Sequence, residues 1–410
     1  MANPIERRVR FEMQGVLSAV VCFGLLSAIA LPPLPIYGLD IYLVTLCAPL
    51  VALLVFATWS SAPVFQISAL FPLALGIMVC VSALFSWHFQ FSSVNARDIV
   101  EAIKYLQFVP YLLAVPFLSR RTDKFFHKAL KFSGIVVAVV GFLQAFGMGG
   151  LVSSIYLGPD SAHLDSALSG HRITLTGSDP NVGGVIAAFF CAYYFSQYSV
   201  SRKVFSLFLF FVFMFLCFAT QSRTALLALI FGLSVYYLFF FRVFVFYKVF
   251  FLAFGFFLVF FLVFFLDLSY VYLGFQDALA GRNNSVNVRF DNLSNAILRF
   301  KESPVIGVGP AKSSFSTVID SEYALIVQRY GLLGVFLFFG YVFYLFRLSC
   351  SGVSGVWGSC LLMFTMMAFL VMLTNNIFSG YQLMSFVVFL HIACVLNQRF
   401  KGRGQAVQPA

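Results

Sequence analysis

The sequence is short of charge. Only 10% of its 410 residues are Asp, Glu, Lys or Arg, while 61% are hydrophobic. A soluble domain carries roughly a quarter charged residues. Mean hydropathy is +0.94. This deficit excludes an ordinary water-soluble enzyme and a disordered chain, and it makes length a poor guide to domain number, because a bilayer replaces much of a soluble core. Cysteine is lacking where it would cross-link. Cys22, Cys47, Cys80, Cys191, Cys217, Cys360 and Cys394 fall inside apolar segments and Cys350 in a turn. No disulfide framework is implied, and no Cys/His spacing suits zinc. The formal net charge of +11 raises nucleic-acid binding, but no basic soluble segment carries an aromatic platform, so that partner is excluded.

What is present is a series of segments close to the ~20 apolar residues a membrane helix needs. They lie at 13–31, 41–57, 66–85, 103–118, 132–150, 182–199, 204–220, 223–241, 249–266, 323–346, 357–374 and 380–397. The expected fold is an all-α integral membrane protein, one polytopic domain over 1–410 with about twelve spans. The first segment is expected to be a retained span and not a cleavable signal peptide, because it is long, ends in Pro32, Pro33 and Pro35, and lacks a small-residue cleavage site. The many Phe residues between 205 and 265 are read as lipid-facing and interhelical packing.

Twelve spans put both termini on one side, and the basic residues choose it. Arg7, Arg8, Arg10, Arg120, Arg121, Lys124, Lys128 and Lys131 gather on that side. Arg202, Lys203, Arg242, Lys248, Arg347, Arg399, Lys401 and Arg403 join them, making 16 of the 26 basic residues. Only Glu6, Glu12 and Asp123 oppose them there. That face is therefore expected to be cytoplasmic, at about +13 against about −2 outside. Its excess also suits the anionic lipid surface. No charge is required near a span centre in this scheme.

Most polar residues of chemical interest fall in three external segments. Residues 151–181 hold Asp160, His163, Asp165, His171, Arg172, Asp179 and Asn181. A turn near 219–224 holds Gln221, Ser222 and Arg223. The long loop 267–322 contains VNVRFDNLSNAILRF, in which Val288, Leu293, Ile297 and Phe300 recur at helical spacing. This stretch is expected to be an amphipathic helix at the outer membrane surface.

Arg223 sits at the mouth of two very apolar spans. It is either a snorkelling arginine or a clamp for phosphate, whose oxygens a guanidinium fork matches bidentately. Arg172 and Arg289 lie in the other two external segments and could join it on one pyrophosphate. In SPVIGVGPAKSSFSTVIDSEYALIVQRYGLLG (303–334), Gly307 and Gly309 give a tight turn without the full dinucleotide fingerprint. Asp320, Ser321, Glu322 and Tyr323 open the tenth span. Asp320 or Ser321 suits a helix N-cap. A carboxylate from Asp320 or Glu322 would equally serve as general base toward a hydroxyl. Glu322 and Arg329 share a helix face; paired they would be structural, whereas an uncommitted Arg329 could hold phosphate.

QSRTALLAL, VRFDNLSNAILRFKESPVIGVG and IDSEYALIVQRYGLLG, preceded by RITLTGSDPNVGG, resemble in their order the core of the O-antigen ligase and O-antigen (Wzy-type) polymerase superfamily over 172–345. The resemblance implies a metal-independent GT-C-like membrane glycosyltransferase of the bacterial inner membrane with a periplasmic active site and no cofactor. Its donor and acceptor would be undecaprenyl-diphosphate-linked oligosaccharides. It implies Arg223 and Arg289, then Arg172, as pyrophosphate ligands, with Arg329 in reserve. His171, Asn181 and Tyr323 are acceptor or loop contacts, and a polysaccharide chain-length regulator and a flippase are implied partners. The ligases resemble one another in a histidine where this chain has Asp320, which favours the polymerase. A ligase or protein O-oligosaccharyltransferase is the related alternative. A lipid-linked sugar transporter is the alternative from another class, disfavoured because its polar groups would lie near the midplane.

Overall fold

A computed structural model describes residues 4–36, 39–59, 67–91, 96–119, 121–157, 161, 163–168, 172–241, 253, 276, 284–311 and 321–405. These are overwhelmingly helical. Among them, seven helices are long and apolar enough to cross a bilayer, and the shorter apolar helices Leu43–Thr58, Val204–Ala219 and Val356–Val371 add to them. All the expected spans except 249–266, of which only residue 253 is described, coincide with helical stretches. The protein is an all-α membrane protein. Its only described strands are the three-residue pair Leu34–Ile36 and Leu39–Ile41.

The chain divides into two compact units. The first comprises Met1–Val139, Asn295–Leu348 and Asn376–Ala410. In it α1 (Pro4–Ala30) packs against α2 (Leu43–Thr58) and against the C-terminal α15 (Tyr381–Gln405), while α3 (Leu70–His88) packs against α4 (Ala96–Leu106). The expected span 103–118 is broken. α4 stops at Leu106, α5 runs Val109–Leu113, and a 3₁₀ turn covers Val115–Phe117. Pro110 and Pro116 stand in the first turns of these pieces, where a missing N–H leaves no helical bond unmade. α6 (Arg121–Ala145) begins directly after.

α4 is inside out by the standards of a soluble helix. Asp98 and Glu101 are 3% and 1% exposed, whereas Ile99 is 61% exposed. Water as solvent would reverse that arrangement, and a hydrocarbon solvent accounts for it. Glu101 and Lys104 lie in the first two turns of an apolar helical stretch running from Asp98 to Phe117, toward its end and away from its centre.

The second unit comprises Val140–Ser294 and Ser349–Asn375. The short α7 (Gly150–Leu157) and α8 (Leu164–Leu168) precede α9 (Pro180–Ser201). α9 packs against α10 (Val204–Ala219), α11 (Arg223–Val235) and α14 (Val356–Val371). Every α9 residue from Gly183 to Ser196 is buried, as befits a helix apolar all round. Gly184 allows this closeness: a Cβ there would stand 2.7 Å from Ala225 Cβ and 3.0 Å from Ser222 Cβ. A π turn, Tyr236–Phe240, extends α11.

The expected amphipathic helix exists as α12 (Asn284–Glu302). Its face is not covered as a soluble helix's would be. Val288, Phe290, Leu293 and Ile297 are exposed, and Ala296 is buried.

α13 (Glu322–Gly352) is not one continuous helix. Gly331 leaves helical geometry at φ 57°, ψ −156°. In an unbroken helix the Leu332 and Leu333 amides would donate to Gln328 O and Arg329 O. Instead the 304–309 loop inserts between these partners. Val308 N and Gly309 N donate to Gln328 O and Arg329 O, each at 3.0 Å. Leu332 N and Leu333 N donate to Pro304 O and Val305 O at 2.9 and 3.1 Å. Four backbone groups that an apolar solvent would leave unpaired are thereby satisfied. Gly307 and Gly331 have positive φ, and a Cβ on either would collide with the other segment's backbone. The tight turn expected at Gly307 and Gly309 is thus half of an interlock.

Candidate functional site

Two polar clusters follow, one in each unit. In the second unit, the loop before α9 is fixed by Gln144, which is fully buried. Its Oε1 accepts from Thr174 N and Leu175 N at 3.1 and 2.8 Å, and its Nε2 donates to Leu175 O at 3.1 Å. This amide does the work of a strand partner for a loop that has none, and it aims Arg172 at the α10–α11 turn. Arg172 Nε donates to Thr220 O at 3.3 Å and its Nη2 to Asn181 Oδ1 at 3.4 Å. Ser222 Oγ donates to the same Asn181 oxygen at 3.0 Å.

Asn181 lies in the first turn of α9 and Ser222 is the N-cap of α11. One hydrogen bond therefore joins two helix N-termini. They are not equivalent. Asp179 caps α9, accepting from Asn181 N and Val182 N at 2.7 and 3.1 Å, and its charge offsets that end of the dipole. Ser222 caps α11 with a neutral hydroxyl, accepting from Ala225 N at 3.4 Å, so the α11 end keeps its positive character. Arg223, half-buried, opens α11. Thr374 Oγ1 donates to Thr224 Oγ1 at 2.9 Å and ties this turn to the end of α14. The assembly offers two guanidinium groups and a helix N-terminus to an anion. Arg289, on α12, has a buried Nε with no hydrogen-bond partner among the described residues.

The first unit holds the residues of the tenth expected span. Glu322 is fully buried. Its Oε2 accepts from Ile377 N and Phe378 N at 2.5 and 2.8 Å, and its Oε1 accepts from Ser379 N at 2.8 Å. Three amides of the turn before α15 thus engage both of its oxygens. Tyr323 is half-exposed, its ring stacked on Phe339 at 6.0 Å. The anticipated Glu322–Arg329 pair is not formed. Arg329 Nη1 lies 3.2 Å from Glu101 Oε1, with side-chain exposures of 12% and 1%. Lys104 Nζ lies 3.1 Å from the other Glu101 oxygen and 5.4 Å from the Tyr381 ring centroid. Arg329 is therefore committed to a buried carboxylate. Asp320 and His171 lie outside the described residues.

Sequence reading had passed over Glu101, Lys104 and Gln144. For the first two a signal existed: Asp98, Glu101 and Lys104 stand three apart in an apolar stretch, one polar stripe on a helix face. Gln144 carried no such signal.

No group of three or more His, Cys, Asp or Glu suited to a metal occurs among the described residues. No curated protein matches the chain. The O-antigen ligase family model matches residues 205–339, from α10 into the broken helix α13. That stretch includes Arg223, Arg289, the 304–309 loop, Glu322 and Arg329, and it leaves out Arg172 and Asn181. Over these residues the chain is similar to the O-antigen ligase family, which supports a place in the O-antigen polymerase and ligase superfamily.

Proposed function

We propose that the protein is a polysaccharide polymerase of O-antigen or exopolysaccharide synthesis. It transfers a glycan from undecaprenyl diphosphate to a lipid-linked repeat unit at the periplasmic face of the inner membrane. The observation that carries this reading is the joined pair of helix N-termini with Arg172 and Arg223, the second of them inside the matched family domain. In this scheme the two guanidinium groups and the α11 N-terminus hold the donor pyrophosphate, and Arg289 adds a third cation from α12. The acceptor hydroxyl attacks the anomeric carbon. The bond from that carbon to the pyrophosphate oxygen breaks, its electron pair leaves with undecaprenyl diphosphate, and stabilising that developing charge is the main catalytic term. Asp320 takes the hydroxyl proton as general base. Glu322 orders the turn before α15 and stays out of the proton transfer. Asp320, where ligases carry histidine, supports polymerase over ligase.

A test is polymer formation by Arg223→Ala and Arg289→Ala at wild-type protein levels. Both are expected to stop chain growth, and normal chain lengths in both would remove the clamp. The discontinuous α13, with its buried Arg329–Glu101 pair, supports a second reading: transporters place broken helices and paired charges within the membrane. A flippase moves lipid-linked sugar without making a glycosidic bond, so product analysis separates the two.

A further inference from the structure

A cavity of about 460 Å³ lies in the first unit beside the start of α6. Three cations, Arg121, Lys124 and Lys128, line it, and no carboxylate does. They recur at positions i, i+3 and i+7 on one face of α6. Asp123, the acid in the first turn of α6, stands on another side of the helix, and among the described residues no acid pairs with Lys124 or Lys128. Hydroxyls form the floor. Ser18 Oγ and Thr122 Oγ1 are 2.8 Å apart and buried, and Ser119 N donates to Thr122 Oγ1 at 3.2 Å. The turn leading in is held by α15, where Arg399 Nη1 donates to Pro116 O at 2.8 Å. Gly15 faces open space on the cavity's edge: a Cβ placed on it would meet nothing within 4 Å. At the rim, Phe125 is 42% exposed.

We infer that this cavity binds the phosphate of an anionic phospholipid headgroup, on the face the basic residues mark as cytoplasmic. Three cations beside a hydroxyl floor match a phosphodiester in charge and donor chemistry. The exposed Phe125 and the apolar surface of α6 beyond it favour a ligand with acyl chains over free phosphate. The site has no part in the proposed transfer reaction and stands independently of it.

The test uses the full-length protein in detergent, with retention of added phosphatidylglycerol or phosphatidylcholine read by native mass spectrometry. Three variants are compared with wild type: Gly15→Leu, which fills the open space, the double variant Lys124→Gln/Lys128→Gln, and Lys124→Arg/Lys128→Arg. Wild type should retain phosphatidylglycerol in preference to phosphatidylcholine. Removing both lysines should weaken that retention roughly thirty-fold. Gly15→Leu should abolish the preference at an unchanged melting temperature, and the arginine pair should keep it. Equal retention of both lipids by wild type, or unchanged retention in Gly15→Leu and the glutamine pair, would overturn the inference. Displacement of phosphatidylglycerol by low-millimolar sodium phosphate would overturn the lipid assignment.

Discussion

Arg223 and Glu322 look alike in the sequence, each a charged residue opening a long apolar helix. Their surroundings separate them. Arg223 is half-buried at a helix N-terminus that a neutral serine caps, whereas Glu322 is enclosed and accepts from three amides. Arg223→Ala should lower the rate of polymer formation about 100-fold or more, the scale of losing a charge-stabilising donor. Arg223→Lys should recover only part of it, because a point cation replaces a fork. Rates at matched protein levels check this, and near-normal activity in the lysine variant would show that charge alone suffices. Glu322→Ala should act on stability. It strands three buried amides, at a cost of about 3 kcal/mol or more, and the melting temperature should fall. Asp320→Asn should lower activity and leave the melting temperature unchanged, since the cap of α13 is Ser321, whose Oγ accepts from Ala324 N at 3.5 Å. The arginines were legible because arginine is costly in an apolar chain and therefore conspicuous. The carboxylate's role was not, because its partners lie more than fifty residues on and are backbone groups, which carry no side-chain signature.

At the scale of elements, α13 and the 304–309 loop are one device. The loop replaces two helical hydrogen bonds with four of its own, so neither part is satisfied alone. Gly331→Ala and Gly307→Ala should each destabilise by more than the ~1 kcal/mol of an unfavourable φ, because a methyl group strikes backbone that cannot move aside. Thermal unfolding in detergent measures this, and a wild-type melting temperature in either variant would contradict the interlock. The Glu101–Arg329 pair gives a second prediction. Arg329→Met alone leaves a buried carboxylate without this partner and should cost about 3–5 kcal/mol. Adding Glu101→Gln should restore most of that stability, a coupling that a double-mutant cycle reads directly. Hydropathy made the helices legible. It could not show the break, since 323–346 reads as one span despite Gln328 and Arg329, and the inserting loop is recognisable only once the two segments are together. It also gave α4 no interior, because the polar stripe that would face water in a soluble helix here faces protein.

At the scale of the whole molecule, the scarcity of charge and its uneven distribution define the account. In the proposed topology basic residues mark one face and the other is nearly balanced, with the candidate arginines and acids in its loops. Ser178 is exposed in the loop before α9. Ser178→Cys should react with a membrane-impermeant thiol reagent added to intact spheroplasts, and Lys128→Cys should react only after permeabilisation. The reverse pattern would invert the topology and move the proposed site to the cytoplasm. The central claim is that these residues make a glycosidic bond and release undecaprenyl diphosphate. It is tested most directly by giving the purified protein its native lipid-linked repeat unit and separating the products by size. A ladder of multiples with matching release of undecaprenyl diphosphate, lost in Arg223→Ala, is the predicted result. Movement of the lipid-linked unit across a bilayer with no bond formed, or an undiminished ladder from Arg223→Ala, would contradict it.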